Sequence, residues 1–385
     1  MQLMTRSYHK TTKHQIAYFI TPHGYGHAAR ASAVMAAIHQ INAAVRFEIF
    51  TQVPEWFFQD SLPDPFGYHA LMTDIGLAQK TPIVEDVPET LRLLDDFLPF
   101  DASLIRDIAN QLRRLRCQMV ICDIAPMGIA VARTAALPSI LIENFTWDWI
   151  YEAYRKDSPE LSQHISYLGE MFDAADYHVQ TRPVCNPRQV DLTTPPIGRK
   201  IRTPRPQIRQ QLGIPAAETK TVMITMGGIP WHYDFLDHLG DQNGVHFIIP
   251  GADNLIEGSN PSPVTTSSLM GGGKVVLLPH HSDYFHPDLV NAADAVIGKA
   301  GYSTVAEVYN VGIPFGYVGR PKFRETRALT TFIAQEMSGL PIAETQFQSG
   351  SWLSSLEELL ALPRIQRNNS CGASQIADFV CELLD

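Results

Sequence analysis

The 385-residue sequence contains no apolar run approaching the roughly 18 residues that a membrane-spanning helix requires. Its opening residues, MQLMTRSYHKTTKH, carry no apolar stretch like that of a secretory leader and read as a loose extension. Cysteine is scarce. Cys117, Cys122, Cys185, Cys371 and Cys381 are odd in number and show neither C-x-x-C nor metal-ligand spacing, which points to the reducing cytoplasm. Positive charge is short as well: 30 Lys and Arg against 40 Asp and Glu leave a formal net charge of -10. That balance excludes a broad surface for gripping nucleic acid, which needs a basic stripe to neutralise phosphates. No G-x-x-x-x-G-K-[ST] occurs, so ATP-driven phosphoryl transfer has no motif behind it.

What is present is a globular composition, 45% apolar and 18% charged, at a length that suggests about two domains. From Gln15 short apolar runs alternate with helical patterns. QIAYFI and VRFEIF read as strands flanking a helix over ARASAVMAAIHQI; CQMVICD and SILIENF flank a helix over PMGIAVARTAAL. A second series contains TVMITM, VHFIIP, KVVLL, DAVIG, a helix from about Ser303, IPFGYV and a helix through ETRALTTFIAQ. Strand, helix, strand at this spacing predicts parallel sheets covered on both faces. The expected fold is α/β, two Rossmann-like doubly wound domains facing a cleft. The boundaries are 14–195 and 196–368, with a helix in 369–385 packing back on the first domain.

Between the two series, residues 187–209 are rich in proline and arginine and read as an interdomain connector. The basic patch Arg199, Lys200, Arg202, Arg205 and Arg209 reads as a solvated face of it. GADNLIEGSNPSPVTTSSLMGGG, from Gly251, has the composition of a mobile insertion.

Two glycine turns carry the chemistry. In TPHGYGHAAR, Gly24, Gly26 and Ala29 satisfy G-x-G-x-x-G/A, the turn that brings backbone amides to a pyrophosphate at a helix N-terminus. The acidic residue that a dinucleotide site needs at the tip of the next strand is absent, because Glu48 lies inside that strand. His27 follows Gly26 at the helix start, where the dipole favours a neutral imidazole able to accept a proton. A histidine that only hydrogen-bonds the turn is the other reading of it. Asp123 ends the strand VICD, placed either to orient His27 or to cap the helix before Pro126.

ADAVIGKAGYSTVAEVYNVGIPFGYVGRPKFRE, residues 293–325, is the more specific stretch. A strand ends in a Lys299-Ala-Gly301 turn, and Ser303 and Thr304 open a helix, so free amides, hydroxyls and a lysine converge as at an anion site. Glu307 lies one turn on, where it could accept hydrogen bonds from ribose hydroxyls. Gly227 and Gly228 follow TVMITM and could admit phosphates or a sugar close to the main chain. His280, His281, Asp283 and His286 lack a metal-ligand spacing and read as cleft wall or surface. Trp56, Phe57, Phe58, Trp147, Trp149 and Tyr151 suit sugar rings, core packing or a homodimer interface.

GKAGYSTVAE is similar to the donor signature of the B-type glycosyltransferase group containing the peptidoglycan N-acetylglucosaminyltransferase. TPHGYGHAAR, ICDIAP and ENFTWDWIYEAY resemble the glycosyltransferase-like half of L-arabinokinases. The resemblance covers nearly the whole chain from about Gln15. It implies an enzyme that moves a sugar from a nucleoside-diphosphate sugar, a UDP-sugar first, to an unknown acceptor hydroxyl. No cofactor is implied beyond the nucleotide sugar as co-substrate. It makes His27 the general base and Asp123 its orienting acid. Gly301, Ser303 and Thr304 fall to the donor diphosphate, Glu307 to the ribose, and Arg324 and Glu325 to the donor sugar; Gly24, Gly26, Gly227, Gly228 and Lys299 are expected to bind the donor as well. Ala300 stands seven residues before Glu307, so the glutamate pair of many retaining members is missing and inversion is favoured. The absence of D-x-D favours a reaction without a metal. A sugar-kinase domain is missing, so kinase activity is not inherited. The same fold also admits a nucleotide-sugar hydrolase or epimerase, or a non-catalytic nucleotide-sugar-binding protein.

Overall fold

The computed structural model describes residues 14–81, 84–214, 219–227, 233–252, 265–268, 274–367 and 372–384. Two seven-stranded sheets organise it. The first takes its strands in the spatial order Gly67–Ala70, Val45–Thr51, His14–Ile20, Met119–Asp123, Ser139–Glu143, Tyr177–Thr181 and Leu192–Thr194, all parallel. The chain winds outward one way from His14–Ile20 and then the other way from Met119–Asp123. The crevice between those two strands is the switch point at which a doubly wound sheet receives a ligand. Ile20 and Asp123 are partners in its register, so the TPHGYGHAAR turn and Asp123 leave the sheet side by side.

The second sheet repeats the solution. Its order is Thr265–Ser268, Lys274–Leu278, Val245–Pro250, Lys220–Thr225, Ala295–Lys299, Phe315–Val318 and Gly339–Pro341, parallel except for the first pair. Its switch point lies between Lys220–Thr225 and Ala295–Lys299, where Gly227 and Lys299 emerge. The central strands are fully buried runs such as IAYFI and VMIT, which is why they read as apolar blocks and not as alternation.

Two expectations change here. The connector is shorter than 187–209: Leu192–Thr194 closes the first sheet and Arg205–Gln211 is helical. A three-residue edge strand has no legible period, and proline is tolerated in the first turn of a helix. The basic patch is a solvated face only at Lys200 and Arg202, which are exposed. Arg209 is buried and donates to Thr221, Arg205 pairs with Asp294, and Lys200 reaches Gln40 of the first domain. The insertion beginning at Gly251 lies mostly outside the described residues; within it Thr265–Ser268 pairs antiparallel with Lys274–Leu278.

The helix Gly372–Leu384 packs against helix Tyr25–Ile41 and strand Leu192–Thr194 of the first domain, burying Ala373, Ile376, Ala377 and Val380. It thus backs the helix that carries His27. No helix among the described residues is long and apolar enough to cross a membrane.

Gly298 sits where the two central strands of the second sheet approach, and a Cβ there would overlap the Thr225 carbonyl oxygen. Gly298→Ala should lower unfolding free energy by about 1–3 kcal/mol, the range for overpacking, read from urea denaturation.

Candidate functional site

The first glycine turn is shaped by Gly24, whose φ of 76° lies in the left-handed region that a side chain resists. Helix Tyr25–Ile41 starts directly after it and presents His27 and Arg30 one turn apart on the same face. His27 Nδ1 lies 2.9 Å from Asp123 Oδ1. Arg30 grips the same carboxylate with two hydrogen bonds, Nε to Oδ2 at 2.7 Å and Nη2 to Oδ1 at 2.6 Å. Asp123 is completely buried. Burial alone would raise its carboxyl, but the Arg30 charge and hydrogen bonds, with those of His27, hold it below the usual carboxylate range. An ionised Asp123 only accepts, so the proton of neutral His27 sits on Nδ1 and Nε2 is left with a lone pair. Asp123 does not cap the following helix, whose N-cap is Ala125. After it Ile124 adopts φ 40°, a strained conformation for a β-branched residue of the kind that collects at functional sites.

His23, in the same turn, packs edge-on against Trp147, and its Nδ1 accepts the Leu77 N–H at 3.4 Å. Burial, then the neighbouring His27, Arg320 and Lys299, push it down to about 3, so it is neutral. It serves the turn.

The second turn faces the first. Helix Tyr302–Val311 starts one residue earlier than the Ser303 expected, with Gly301 as its N-cap and no side chain capping it. Ser303 approaches the other domain so closely that a Cβ on Gly26 would stand 3.5 Å from its Oγ. Lys299 packs beside Gly227, whose φ is 73°. Burial, then the charge of Arg320, push Lys299 down to about 8, partly offset by Glu325. Among the described residues neither Lys299 nor Arg320 forms an ion pair.

Two cavities open between the domains. One, of about 610 Å³, is lined by His23, Gly24, Gly26, His27 and Phe145 from the first domain and by Gly227, Lys299, Gly301, Ser303, Thr304, Arg320 and Glu325 from the second. The other, of about 410 Å³, is lined by Trp56, Phe57, Arg199, Arg202, Gly251, the 280–286 loop and Glu307. Tyr25, Gly227, Ser303 and Thr304 line both.

The structure redistributes several expected residues. Arg324 does not line either cavity: it lies over the Trp149 ring at 4.0 Å and donates to the Trp149 carbonyl. Its neighbour in the KFRE turn, Glu325, does line the cavity, and Arg320 supplies the guanidinium there. Glu307 is buried but already engaged, accepting from Arg199 Nε at 3.0 Å and paired with His286 Nδ1 at 2.7 Å. Burial would raise it, and Arg199 and His286 together lower it. Gly228 lies outside the described residues. Phe58, Trp147 and Tyr151 are core, whereas Trp56 and Phe57 face the smaller cavity. His280 lies tilted against Tyr25 and edge-on to Trp56, His281 stacks on Trp56 at 4.5 Å, and His286 serves Glu307.

Sequence reasoning missed Arg30, Asn144 and Arg320, and it named Arg199 and His286 without their partner Glu307. The signal for Arg30 was its i+3 spacing from His27. Asn144 stood in the ENF end of a strand adjacent to that of Asp123.

A lysine held near 8 but near 10.5 when unfolded binds fewer protons in the folded state between those values, so folding stability rises with pH across that window. Below it the desolvated charge is a standing cost. Lys299→Met should therefore melt higher than wild type at pH 7, with the difference shrinking as pH is raised from about 8 toward 10.5; equal melting at pH 7 would show a well-solvated lysine.

No family model matches the chain. It is similar to the L-arabinokinase of Arabidopsis thaliana, 24% identical over 358 residues that make up 91% of this chain and 33% of that protein. The chain thus spans about a third of the length of that relative. Among solved structures it is similar to MurG of Acinetobacter baumannii, with TM-score 0.57, 15% identity, and 96% of this chain and 100% of that chain covered. It is also similar to CalG4, the calicheamicin glycosyltransferase, with TM-score 0.63, 14% identity and coverages of 97% and 99%. A UDP-glucose: anthocyanidin 3-O-glucosyltransferase in complex with UDP gives TM-score 0.59, 13% identity and coverages of 96% and 95%. The chain has the fold these proteins share, the B-type glycosyltransferase fold of two Rossmann-like domains facing a cleft.

Proposed function

We propose that the protein transfers a glycosyl group from a nucleoside-diphosphate sugar, UDP-linked in the first instance, to an acceptor hydroxyl, by a single displacement with inversion. The observation that carries this reading is the shared wall of the two cavities. Gly227, Ser303 and Thr304 stand between a pocket ending in Glu307 and a pocket containing His27. A diphosphate on that wall would join a nucleoside on one side to a sugar on the other. The free amides at the start of helix Tyr302–Val311 favour an anion there.

In this mechanism His27 Nε2 takes the proton of the acceptor hydroxyl as its oxygen bonds to the anomeric carbon. The bond from that carbon to the phosphate oxygen breaks, and the electron pair leaves with the diphosphate. Lys299, Arg320 and the helix N-terminus stabilise the charge that develops on it, so no metal is invoked. Asp123 stabilises the imidazolium. Glu307 would accept from ribose hydroxyls after releasing or sharing Arg199 and His286, and Glu325 would hold a donor-sugar hydroxyl.

UDP, GDP, ADP and their common sugar derivatives should be compared by thermal shift, since a ligand that binds only the folded state stabilises it by about 2.7 kcal/mol at a hundred times its Kd. One nucleoside diphosphate should raise the melting temperature of wild type, and less so that of Glu307→Ala measured against its own baseline. No shift with any nucleotide sugar would overturn the donor reading. His27→Ala should keep the shift and lose transfer by about 10²–10⁴-fold; loss of the shift would move His27 to a phosphate role. Steady release of free sugar at the full rate without acceptor would favour a hydrolase.

A further inference from the structure

The hydrogen bonds around His27 do not stop at Asp123. Arg30, which holds Asp123 with Nε and Nη2, donates from Nη1 to Asn144 Oδ1 at 2.7 Å. Asn144 in turn donates from Nδ2 to Glu325 Oε1 at 2.8 Å. Asn144 is fully buried, Arg30 is 1% exposed and Glu325 5%. Glu325 belongs to the second domain and lines the cavity that contains His27. Its Oε1 is taken by Asn144, so Oε2 is the oxygen left for a ligand.

We propose that Asn144 is a positioning residue that joins Glu325, on the donor side of the cleft, to Arg30, Asp123 and His27 on the acceptor side in one buried network. This rests on the transferase reading for its meaning, but its geometry stands apart from it.

The link joins two carboxylates through one guanidinium and one amide: Asp123 pairs with Arg30, and Glu325 is reached through Asn144, with Lys299 and Arg320 on the same cavity wall. Such a network fixes orientation more than net charge. An amide is suited to the joint because it accepts from a guanidinium and donates to a carboxylate at once. Asp123 Oδ1 lies 2.9 Å and Arg30 Nη2 3.3 Å from His27 Nδ1, the Phe145 ring meets the imidazole edge-on, and His23, Lys299, Arg320, Glu325 and His27 line one cavity. Of these carboxylates, Glu325 alone also touches the cavity. A donor sugar that hydrogen-bonds Glu325 would pull on the network that fixes the base, so an occupied donor site and a correctly held His27 would go together.

The simpler explanation is that Asn144–Glu325 merely docks the domains. Arg182–Glu336, an exposed interdomain ion pair at 3.0 Å outside the network, provides the control. The probe is the low-field Nδ1–H resonance of His27 in ligand-free, full-length, 15N-histidine-labelled protein, assigned by its loss in His27→Ala. In Asn144→Ala, in Asn144→Ser and in Glu325→Gln the resonance should shift or broaden, and in Arg182→Ala it should stay in place. An unmoved resonance in the network variants, with the fold intact by circular dichroism, overturns the proposal. So does an equal movement in Arg182→Ala, which would make the signal a report of domain docking. With the donor found by thermal shift, Asn144→Ala should lower kcat about 10-fold or more, short of the ~10²–10⁴ lost with the base itself, at unchanged donor KM. A rise in KM with kcat unchanged would assign Asn144 to donor binding instead. If no nucleotide sugar binds, the transferase reading fails while the resonance still decides the network.

Discussion

The buried Arg30–Asp123 pair is the interaction on which the site depends. Taking both charges out of water is costly, and removing either partner would leave the other unpaired in the interior. That asymmetry forces three elements to keep one arrangement: the start of helix Tyr25–Ile41, the end of strand Met119–Asp123, and the Asn144 corner. Arg30 also lies over the Tyr302 ring at 4.7 Å, and the Tyr302 hydroxyl donates to Thr181 while accepting from the Ile197 amide. The first residue of the second domain's anion-facing helix is thereby tied to the same guanidinium. The imidazole is held in place as a by-product of a pair that could not move cheaply.

The two halves reach the cleft by the same route. Each sheet reverses its winding beside its first strand, each leaves a glycine turn at that point, and the turns meet where Gly26 faces Ser303. The halves then diverge in charge. The first offers His27 backed by Asp123; the second offers Lys299, Arg320 and Glu325 beside the start of helix Tyr302–Val311, with neither cation in an ion pair among the described residues. One wall carries an imidazole hydrogen-bonded to a buried carboxylate, and the opposite wall carries two cations beside a helix N-terminus.

The sequence made the strands and both turns legible because fully buried parallel strands are uninterrupted apolar runs and because glycine marks places where a side chain would interfere. It made partners across the fold illegible. Arg30 in HAARASAVMAAIHQI reads as an ordinary polar position of an amphipathic helix, and nothing local announces an aspartate 93 residues away. Arg199 and its neighbours looked solvated because their partners, Glu307, Asp294 and the Ser61 corner, come from distant segments. Arg324 and Glu325 are adjacent in the chain yet point to different tasks, since at a helix start successive side chains are rotated by about 100°. The C-terminal helix is expected on the first domain, but its seat against the helix of His27 depends on contacts with a segment more than 330 residues earlier and is not legible.

That seat alters how the two halves are joined. The polypeptide crosses between domains at residues 195–204, and it crosses again after Arg367, which still rests over Tyr309 of the second domain. The two halves are therefore joined twice, by the 195–204 crossover and by the helix Gly372–Leu384 seated on the first domain, so the second domain is anchored to the first at both of its ends.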